Sequence, residues 1–467
     1  MGTTSADVVV IGAGPAGLMA AWHAARSGRS VVVLEREDRV GGLAGSVEIA
    51  GLRVDHGSHR LHPSTPPHLL AEIRGLLGDD LQVRPRHGRI RLADRWLGYP
   101  LSPLDLVRSL PRPVAARASL DAVTSPLRRG GDDFASVVRA GLGPTVASLF
   151  YEPYARKLWG VEPSQLDADL ARRRVSANSP TAIVRRLARG RRSGGSTFLY
   201  PRRGFGQIPE AIAAAAVDAG AEIRCGAPVV GLGPPGGDRV QVVTGDGALE
   251  AGVVLSTLPV TVLARMIDPD PPPAVAAATA RLRTRAMVLV HLVLDRAPFT
   301  PFDAHYFPQA DEPVARCSEP RNYRHDPAQP CGVTVLCAEL PCEVGDPTWE
   351  CPDHELGAAV AASLARMGLP GAEPVDVVTR RIPHLYPVLH LGYADDLAVV
   401  ERWLDAVPRV VTLGRAGLFT GDNTHHALAM GAAAATALQP DVGIGDGIDR
   451  AAWSAARARF LDHVVED

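Results

Sequence analysis

Residues 7–18 read Asp-Val-Val-Val-Ile-Gly-Ala-Gly-Pro-Ala-Gly-Leu, and this stretch decides the fold of the chain. An apolar run leads into a turn that carries Gly12, Gly14 and Gly17 at the spacing GxGxxG. The order predicts a strand, a tight turn and a helix. One glycine allows the turn, one lets the backbone approach a pyrophosphate, and one lets the helix pack closely on the strand. The N-terminus of the helix would hold the phosphates through its unpaired N–H groups.

A second apolar run, Val31–Leu34, ends at Glu35, which lies about 20 residues after the turn. Glu35 is placed to accept a hydrogen bond from a ribose hydroxyl, as the acid at the end of the second strand does in βαβ dinucleotide sites. The glycine spacing alone is a weak signal. The strand before it, the helix after it and the acid together predict dinucleotide binding.

Further motifs lie near both ends of the chain. Arg39-Val-Gly-Gly42 follows the acid, and Val54-Asp-His-Gly-Ser-His59 comes shortly after it. Near the other end, Val410–Leu413 leads into Gly414-Arg415, and the segment 421–431 opens a helix of small residues. These motifs resemble those of the flavoprotein superfamily that contains amine oxidases, protoporphyrinogen oxidase, phytoene desaturases and UDP-galactopyranose mutase.

The resemblance, strongest over residues 7–62 and 408–436, implies that FAD is bound non-covalently and lies extended between the two chain ends. It implies an α/β fold with a Rossmann-like, glutathione-reductase-type FAD-binding domain and a discontinuous α+β substrate domain that carries a helical insert. The residues that it places against FAD are Gly12, Gly14, Pro15, Ala16, Gly17, Glu35, Arg36, Gly41, Gly42, Leu43, Gly57, Ser58, His59, Val230, Thr257, Gly414, Arg415, Asp422 and Asn423.

The length of 467 residues exceeds what one hydrophobic core usually supports, so two domains are expected. The first part of the substrate domain includes an amphipathic helix from Phe134 to Tyr154, and 286–294 predicts a central strand. A hairpin over 240–251 is expected, and the segment 253–259 resembles the strand that passes under the cofactor in the same superfamily. The pattern assigns the FAD-binding domain to 1–95, 200–265 and 401–440, the substrate domain to 96–199 and 266–400, and a C-terminal helix to 441–467.

The formal net charge of −2 at pH 7 gives no reason to expect nucleic acid as a partner, and a small-molecule substrate is expected instead. Lys157 is the only lysine, so almost all positive charge is arginine. No stretch reaches the about 18 apolar residues of a membrane span, although amphipathic stretches of the insert leave peripheral membrane contact open. The six cysteines form no Cys-x-x-Cys pair, which favours buried free thiols and a cytoplasmic protein. The oligomeric state stays open.

His56, His59 and His62 are spaced by three residues, but Gly57 and Pro63 indicate a loop, so no metal is expected there. His59 is the best candidate of the three to shape the flavin or the substrate. A histidine that only bonds to the backbone is the alternative interpretation.

His425 and His426 lie just before the helix that begins near Ala427. The similar flavoproteins usually carry Asn-x-Asp-His here, whereas this chain has His425 in place of the acid. An imidazole at the flavin edge is able to act as a base or as an anion contact. Ordinary helix capping is the alternative for both histidines.

Arg321 and Tyr386, with Tyr323 and Arg381, resemble loop motifs of the substrate domain in the same superfamily. Guanidinium groups and phenols orient phosphates, carboxylates and sugars. Because the chain is rich in arginine, surface arginines are the alternative, and Tyr386 is the preferred lining residue. The candidate catalytic residues are therefore His59, His425, His426, Tyr386 and Arg321.

The expected function is that of an FAD-dependent oxidoreductase, either a dehydrogenase, an oxidase or a desaturase, that passes a hydride from a small organic substrate to flavin N5. Amine oxidases commonly carry a lysine in the strand before the pair Pro298-Phe299, and this chain has only His291 as a titratable group there. Two alternatives stay open. One is a UDP-galactopyranose-mutase-like enzyme without net redox, in which Arg321 and Arg381 hold a nucleotide pyrophosphate; the other is a non-catalytic FAD-fold binding protein.

Overall fold

The structure of the protein is a computed structural model that describes residues 4–101, 106, 108–174, 197–234, 237–440 and 446–461. Its strands form two large sheets and two small ones. The strands are β1 Ser5–Ile11, β2 Val31–Leu34, β3 Ser46–Ile49, β4 Leu52–Asp55, β5 Leu81–Pro85, β6 Gly88–Leu92, β7 Arg95–Tyr99, β8 Thr197–Pro201, β9 Glu222–Arg224, β10 Val229–Leu232, β11 Val240–Thr244, β12 Gly247–Ser256, β13 Thr284–Leu294, β14 Ala304–Tyr306, β15 Arg316–Ser318, β16 Thr334–Cys342, β17 Asp376–Pro387 and β18 Val410–Thr412.

Helices cover both large sheets and form most of the insert between β7 and β8. They are α1 Pro15–Arg26, α2 Pro67–Leu77, α3 Arg112–Thr124, α4 Phe134–Leu142, α5 Pro144–Val146, α6 Glu152–Trp159, α7 Ala168–Arg174, α8 Gln207–Asp218, α9 Val260–Leu263, α10 Pro273–Arg281, α11 Pro347–Glu350, α12 Asp353–Arg366, α13 Tyr393–Asp405, α14 Gly414–Gly417, α15 Thr424–Thr436 and α16 Arg450–Leu461.

The first large sheet has the order β10-β11-β12-β1-β2-β9, with β18 beside β12. Strands β9, β2, β1, β12 and β18 are parallel, and the apolar residues of β1, β2 and β18 are buried on both faces, as a parallel sheet under helices requires. Helices α1, α8 and α15 pack on one face of this sheet in a continuous apolar core. The strand, turn and helix predicted from residues 7–18 are confirmed, and the fold is of the mixed α/β class.

Strand β12 joins two elements that the sequence pattern separates. It runs without interruption from Gly247 to Ser256, where a hairpin strand and a second strand are expected. One edge of β12 pairs with β1, while the other edge pairs first with β11 and then with β18. The single long strand therefore carries the chain from the hairpin to the site of the glycine turn.

The second large sheet has the order β17-β13-β16-β15-β14-β6-β7, and β13 is a buried interior strand, as predicted for 286–294. Two of the predicted domain boundaries are wrong. The boundary at residue 95 would cut the hairpin β6–β7, which belongs to this sheet because β6 also pairs with β14. The boundary at residue 400 would cut helix α13.

The helical insert begins after β7 and differs from its predicted pattern at one point. The helix expected from Phe134 to Tyr154 ends at Leu142, because Gly143 has a φ of +90° and Pro144 cannot donate to the preceding turn. A π-helical segment over 147–151 then leads into α6. The last part of the predicted insert, 175–196, lies outside the described residues, as do 441–445 and 462–467 of the predicted C-terminal helix.

All six cysteines are free thiols, and Cys317, Cys337 and Cys342 are buried as expected. Cys225 and Cys331 are exposed, so the expectation of burial does not hold for them. In the part of the chain that the structure describes, none of the helices has both the length and the apolar composition needed to cross a bilayer.

Candidate cofactor and substrate site

The glycine turn between β1 and α1 has the geometry that a bound pyrophosphate needs. A Cβ atom on Gly12 would lie 2.2 Å from Oγ1 of Thr257, and one on Gly17 would lie 2.0 Å from the carbonyl oxygen of Gly12, so packing requires both glycines. A Cβ on Gly14 would meet no described atom within 4 Å, so this residue faces open space. No described side chain caps α1 and its first turn holds no acid, which leaves its N–H groups and its positive dipole end for an anion.

The two ends of the chain meet at this turn. A Cβ on Gly431 in α15 would lie 2.2 Å from the carbonyl oxygen of Ala16, so the backbones of α1 and α15 are in contact. Gly414 has a φ of +79°, and a Cβ there would lie 3.3 Å from Cβ of Ala16 and 3.7 Å from Cβ of Thr257. Predicted cofactor residues from both ends of the chain are therefore neighbours.

Glu35 is buried directly beside the turn. One carboxylate oxygen accepts the N–H of Ala13 at 2.7 Å, and the other accepts the N–H of Glu37 at 3.0 Å. These bonds fix the carboxylate at the end of β2, where the acid of a dinucleotide site stands. Arg36, predicted as a cofactor residue, is exposed and lies 3.3 Å from the Glu37 carboxylate.

The Arg-x-Gly-Gly motif works through its glycines. The N–H of Gly41 donates to the carbonyl oxygen of Ala13 at 2.8 Å, and a Cβ on Gly42 would lie 3.2 Å from Cα of Gly14. Leu43 follows and packs against the second sheet. Arg39 is exposed and binds the Asp38 carboxylate at 2.8 Å, so its side chain lies on the surface.

Val230 lies on β10 and is 57% exposed. The segment that leads to it runs beside the acid, since the N–H of Ala227 donates to the backbone carbonyl of Glu35 at 2.8 Å. An exposed valine at this edge is an apolar surface of the kind that an adenine ring covers.

The loop after β4 is held to the second sheet by side chains. The N–H of Ser58 donates to Oε1 of Glu339 at 3.1 Å, and its hydroxyl hydrogen-bonds the hydroxyl of Tyr323 at 2.5 Å. Arg316 donates to the same oxygen of Glu339 from Nη2 at 2.7 Å. A Cβ on Gly57 would lie 3.5 Å from that oxygen, so the loop backbone runs directly over the ion pair.

His59 is a neutral imidazole in this loop. Burial lowers its pKa, its ring stacks on Phe205 at 5.3 Å, and its Nε2 lies 2.9 Å from the carbonyl oxygen of His56. The bond assigns the proton to Nε2 and leaves Nδ1 as an acceptor. Burial, aided by the charge of Arg380, lowers the pKa of His56 to about 3. His291 is also buried, and each of its ring nitrogens lies against a backbone carbonyl.

Helix α15 begins at Thr424, and Asn423 directly before it forms a capping box. Its side chain accepts the N–H of His426, while Nδ1 of His426 accepts the N–H of Asn423 at 3.2 Å. The prediction of His426 as a proton acceptor is therefore corrected, because capping uses its Nδ1. His425 is buried, with its ring 3.9 Å from that of His426 and 5.9 Å from that of His62. Asp422 is buried and accepts a hydrogen bond from the hydroxyl of Thr420.

Tyr386 lies near the end of β17 and meets the predicted cofactor residue Arg415. The guanidinium carbon of Arg415 is 4.8 Å from the Tyr386 ring centroid. Arg174 lies 5.7 Å from the same ring and 5.3 Å from the ring of Trp159. The predicted lining role of Tyr386 is thus consistent with its position next to the C-terminal cofactor segment.

Arg321 and Arg381 do not join this cluster. Arg321 donates to the carbonyl oxygen of Val333, the residue before β16. At this end of the sheet β16 pairs with Leu294 of β13. Tyr386 pairs with Arg285 at the other end of β13, about 30 Å away along the strand. Arg381 donates to the carbonyl oxygens of two residues near α11. Both arginines serve the structure of the second sheet, so the predicted substrate role of Arg321 and the predicted pair with Arg381 are wrong.

Two parts of the site were not found by sequence reasoning. The ion pair of Arg316 and Glu339 was missed, although a single acid inside the apolar strand Thr334–Cys342 is an available signal. Arg174 was missed because it ends a run of three arginines, and only the tertiary structure distinguishes it from the exposed Arg172.

An FAD site needs three features. They are free backbone N–H groups beside an open glycine, a buried acid next to them, and a second glycine element from the other end of the chain. The glycines leave space where the pyrophosphate would lie, and Glu35 stands where the ribose would lie. The described residues therefore fit FAD, and the fold and site define a dinucleotide-binding flavoprotein.

Comparisons with known proteins agree with this geometry. The family model described as flavin containing amine oxidoreductase matches residues 15–439. Curated relatives include phytoene dehydrogenase of Streptomyces griseus, 30% identical over 54% of this chain and 55% of the relative, and protoporphyrinogen oxidase of Homo sapiens, 28% identical over 56% and 61%. These alignments thus span less than two thirds of either relative. A crystal structure of reduced UDP-galactopyranose mutase superposes with a TM-score of 0.77 at 19% identity, over 99% of this chain and 100% of that one.

The chain belongs to the flavin-containing amine oxidoreductase family. The cofactor of this family is a flavin, in agreement with the geometry of the glycine turn. The superposition on the mutase structure shows a common fold. At 19% identity it carries no information about the substrate.

Proposed function

We propose that the protein oxidises a small organic substrate by transferring a hydride to FAD. The observation that carries this proposal is the contact of the two chain ends at Ala16, with Tyr386 beside the C-terminal segment. FAD, when bound, accepts the hydride and so supplies the redox chemistry. The chain supplies the binding site, the orientation of the substrate and the movement of the proton.

The glycine turn and the N-terminus of α1 would hold the pyrophosphate, and Glu35 would hold the ribose. The N-terminus of α15, which Asn423 caps, offers its positive dipole end to negative charge that develops near it. Tyr386 would form a wall of the substrate cavity.

Among the predicted bases, His59 fits the task best. Burial lowers its pKa and so favours the neutral form, in which a bond from Nε2 to the His56 carbonyl leaves Nδ1 as a proton acceptor. His426 uses its Nδ1 in capping. His425 is buried against both His62 and His426, which limits its access to a substrate.

A flavoenzyme without net redox, like UDP-galactopyranose mutase, is the second candidate. It needs two arginines on a nucleotide pyrophosphate, and Arg321 and Arg381 are not available for this purpose. The pair Arg174 and Arg415 beside Tyr386 favours this candidate instead. A substrate that bleaches the flavin supports the first candidate, whereas turnover that needs prior reduction without consuming the reductant supports the second.

The decisive experiment compares two glycine variants before any substrate is tested. Gly14→Val places a side chain in the open space of the turn, so we expect a folded protein that binds no FAD; Gly75→Ala on the exposed face of α2 keeps full binding. Visible flavin absorbance and thermal unfolding measure the two properties separately. Anaerobic mixing of the yellow wild-type protein with amines, sugars and isoprenoids then identifies the reductant. A wild-type protein that takes up no FAD would leave the non-catalytic binding protein as the better interpretation.

A further inference from the structure

The cluster around Tyr386 contains two arginines without carboxylate partners. Among the described residues, neither Arg174 nor Arg415 lies within 4.0 Å of a carboxylate oxygen, and the Nε atom of each is buried without a hydrogen-bond partner. Some arginines of the interior have a carboxylate partner, as Arg316 has Glu339 at 2.7 Å and Arg60 has Asp303 at 3.2 Å, whereas the buried Arg324 donates to a backbone carbonyl. Because a buried charge without a partner is costly, this pair calls for an explanation.

Aromatic rings position both guanidinium groups. Arg415 lies over Tyr386, and Arg174 lies beside both Tyr386 and Trp159, at 5.7 Å and 5.3 Å from ring centroids that are themselves 6.4 Å apart. Stacking on a ring holds the plane of a guanidinium group and leaves its N–H edge for a second ligand. The backbone closes another side, since a Cβ on Gly421 would lie 3.3 Å from Nη2 of Arg174.

The charge of the cluster is positive. Burial lowers the pKa of Arg415 and the charge of Arg174 lowers it further, while Tyr386, which also hydrogen-bonds Arg415, and Asp422 act in the opposite direction. Among the residues that the structure describes here, one carboxylate against two guanidinium groups leaves a net positive charge. A small cleft with apolar walls from Leu170 and Leu389 lies beside them.

We propose that Arg174 and Arg415 form a subsite for an anionic group of the substrate, a carboxylate or a phosphate, between the rings of Trp159 and Tyr386. The inference rests on the proposed function, because it assumes that the substrate lies next to the cofactor segment. It also predicts discrimination, since a cationic amine would meet two positive charges at this position.

The cofactor itself is the rival ligand for Arg415. Its neighbour Gly414 touches Ala16 in the turn that would hold the pyrophosphate. A guanidinium group that contacts FAD would change FAD affinity and would leave the binding of a separate anion unaltered. The test therefore measures both affinities.

The experiment titrates FAD-saturated protein with inorganic pyrophosphate, benzoate and putrescine by calorimetry. We expect one or both anions to bind and putrescine not to bind. Arg174→Gln and Arg415→Gln should each raise the Kd of the anion about tenfold or more, as loss of a charge-assisted hydrogen bond does. Arg172→Gln is the matched control, because it removes an exposed arginine from the same helix. Arg174→Lys should recover part of the affinity, since it keeps the charge but not the planar fork.

Absence of anion binding in the FAD-loaded wild type, or an anion Kd that Arg174→Gln and Arg415→Gln leave unchanged, would overturn the inference. A lower FAD affinity in Arg415→Gln with an unchanged anion Kd would also overturn it and would assign Arg415 to the cofactor. Titration of the Gly14→Val variant measures anion binding at the subsite when no FAD occupies the glycine turn. Failure of FAD binding therefore overturns the proposed function while the anion titration still tests the arginines.

Discussion

The two large sheets hold their site residues by different means. Around the first sheet, the packing of Gly17 on the carbonyl oxygen of Gly12, the crossing at Gly431 and the close approach of Gly42 are set by backbone against backbone. At the second sheet, the loop at Ser58 is held through a side-chain carboxylate, that of Glu339. A site made by backbone contact needs glycine at fixed positions, and these glycines are recognisable in the sequence. A site made by side-chain pairs has no comparable sequence motif.

The largest expected effect concerns the crossing of α1 and α15. In Gly431→Val the new side chain would start 2.2 Å from the Ala16 carbonyl oxygen, and backbone on both sides cannot move aside without separating the helices. We expect a loss of more than about 3 kcal/mol in the free energy of unfolding, or no folded protein. Denaturant unfolding measures this.

The control for the crossing is Gly75→Ala, which adds a methyl group at an exposed helical position with no described atom within 4 Å. It should stabilise the protein by about 0.5–1 kcal/mol. Equal stability of the two variants would show that the backbones of α1 and α15 are not in contact.

The next effect concerns the second sheet. Glu339→Ala leaves the guanidinium group of Arg316 without its partner, and removing one member of a buried pair costs about 3 kcal/mol. Chemical unfolding measures the loss. Glu162→Ala is the matched control, because its pair with Arg156 at 2.6 Å is exposed and should contribute far less to stability than the buried pair. Similar losses in the two variants would refute a special role of the buried pair.

A third prediction compares one histidine from each region. Burial lowers the pKa of His56, in the cofactor loop, and of His305, in β14, to about 3 each, with Arg380 and Arg89 as the second causes. The unfolded chain therefore binds more protons than the folded one between the folded pKa of about 3 and the ordinary value of 6.5. Stability should accordingly fall as the pH drops below 6.5, and the loss should be complete only below pH 3.

Each histidine should contribute at most about 1.4 kcal/mol per pH unit to this acid destabilisation. Unfolding free energies measured between pH 6.5 and pH 5 should show a smaller slope in His56→Asn and in His305→Asn than in the wild type. Slopes that coincide with that of the wild type would mean that these histidines are protonated as readily in the folded state as in the unfolded chain.

The smallest expected effect concerns the hydrogen bond between Ser58, in the loop after β4, and Tyr323. Ser58→Ala removes the hydroxyl that bonds Tyr323 at 2.5 Å, and we expect a loss of about 1 kcal/mol. Tyr323→Phe removes the other partner. A double-mutant cycle on unfolding free energies should give a coupling of about 1 kcal/mol between them, and additive losses would show that the bond contributes nothing.

The difference between the regions also explains what the sequence could predict. The strand, turn and helix at the N-terminus were predicted correctly, because the conformation of a tight strand–helix turn requires glycine at positions such as Gly12 and Gly17. The relation of Gly414 to that turn was predicted only through the resemblance to known flavoproteins. The break at Gly143 was missed, although the glycine–proline pair that causes it is visible in the sequence.

Other prediction errors arose because the answer depends on tertiary contacts. The local sequence does not indicate which sheet β6 joins, so the boundary at residue 95 was misplaced. Arg321 was taken for a substrate residue because the type of a side chain does not tell whether a backbone carbonyl or a ligand receives its N–H groups. Arg174 was passed over for the same reason.

The contact of Gly431 with Ala16 has a consequence for biosynthesis. The residues that complete the proposed FAD site lie more than 400 positions after the first glycine element. The first element therefore has to wait for them while the intervening residues are translated. We expect cofactor loading to follow the synthesis of α15, and a chain that stalls before this helix should have no complete site to fill.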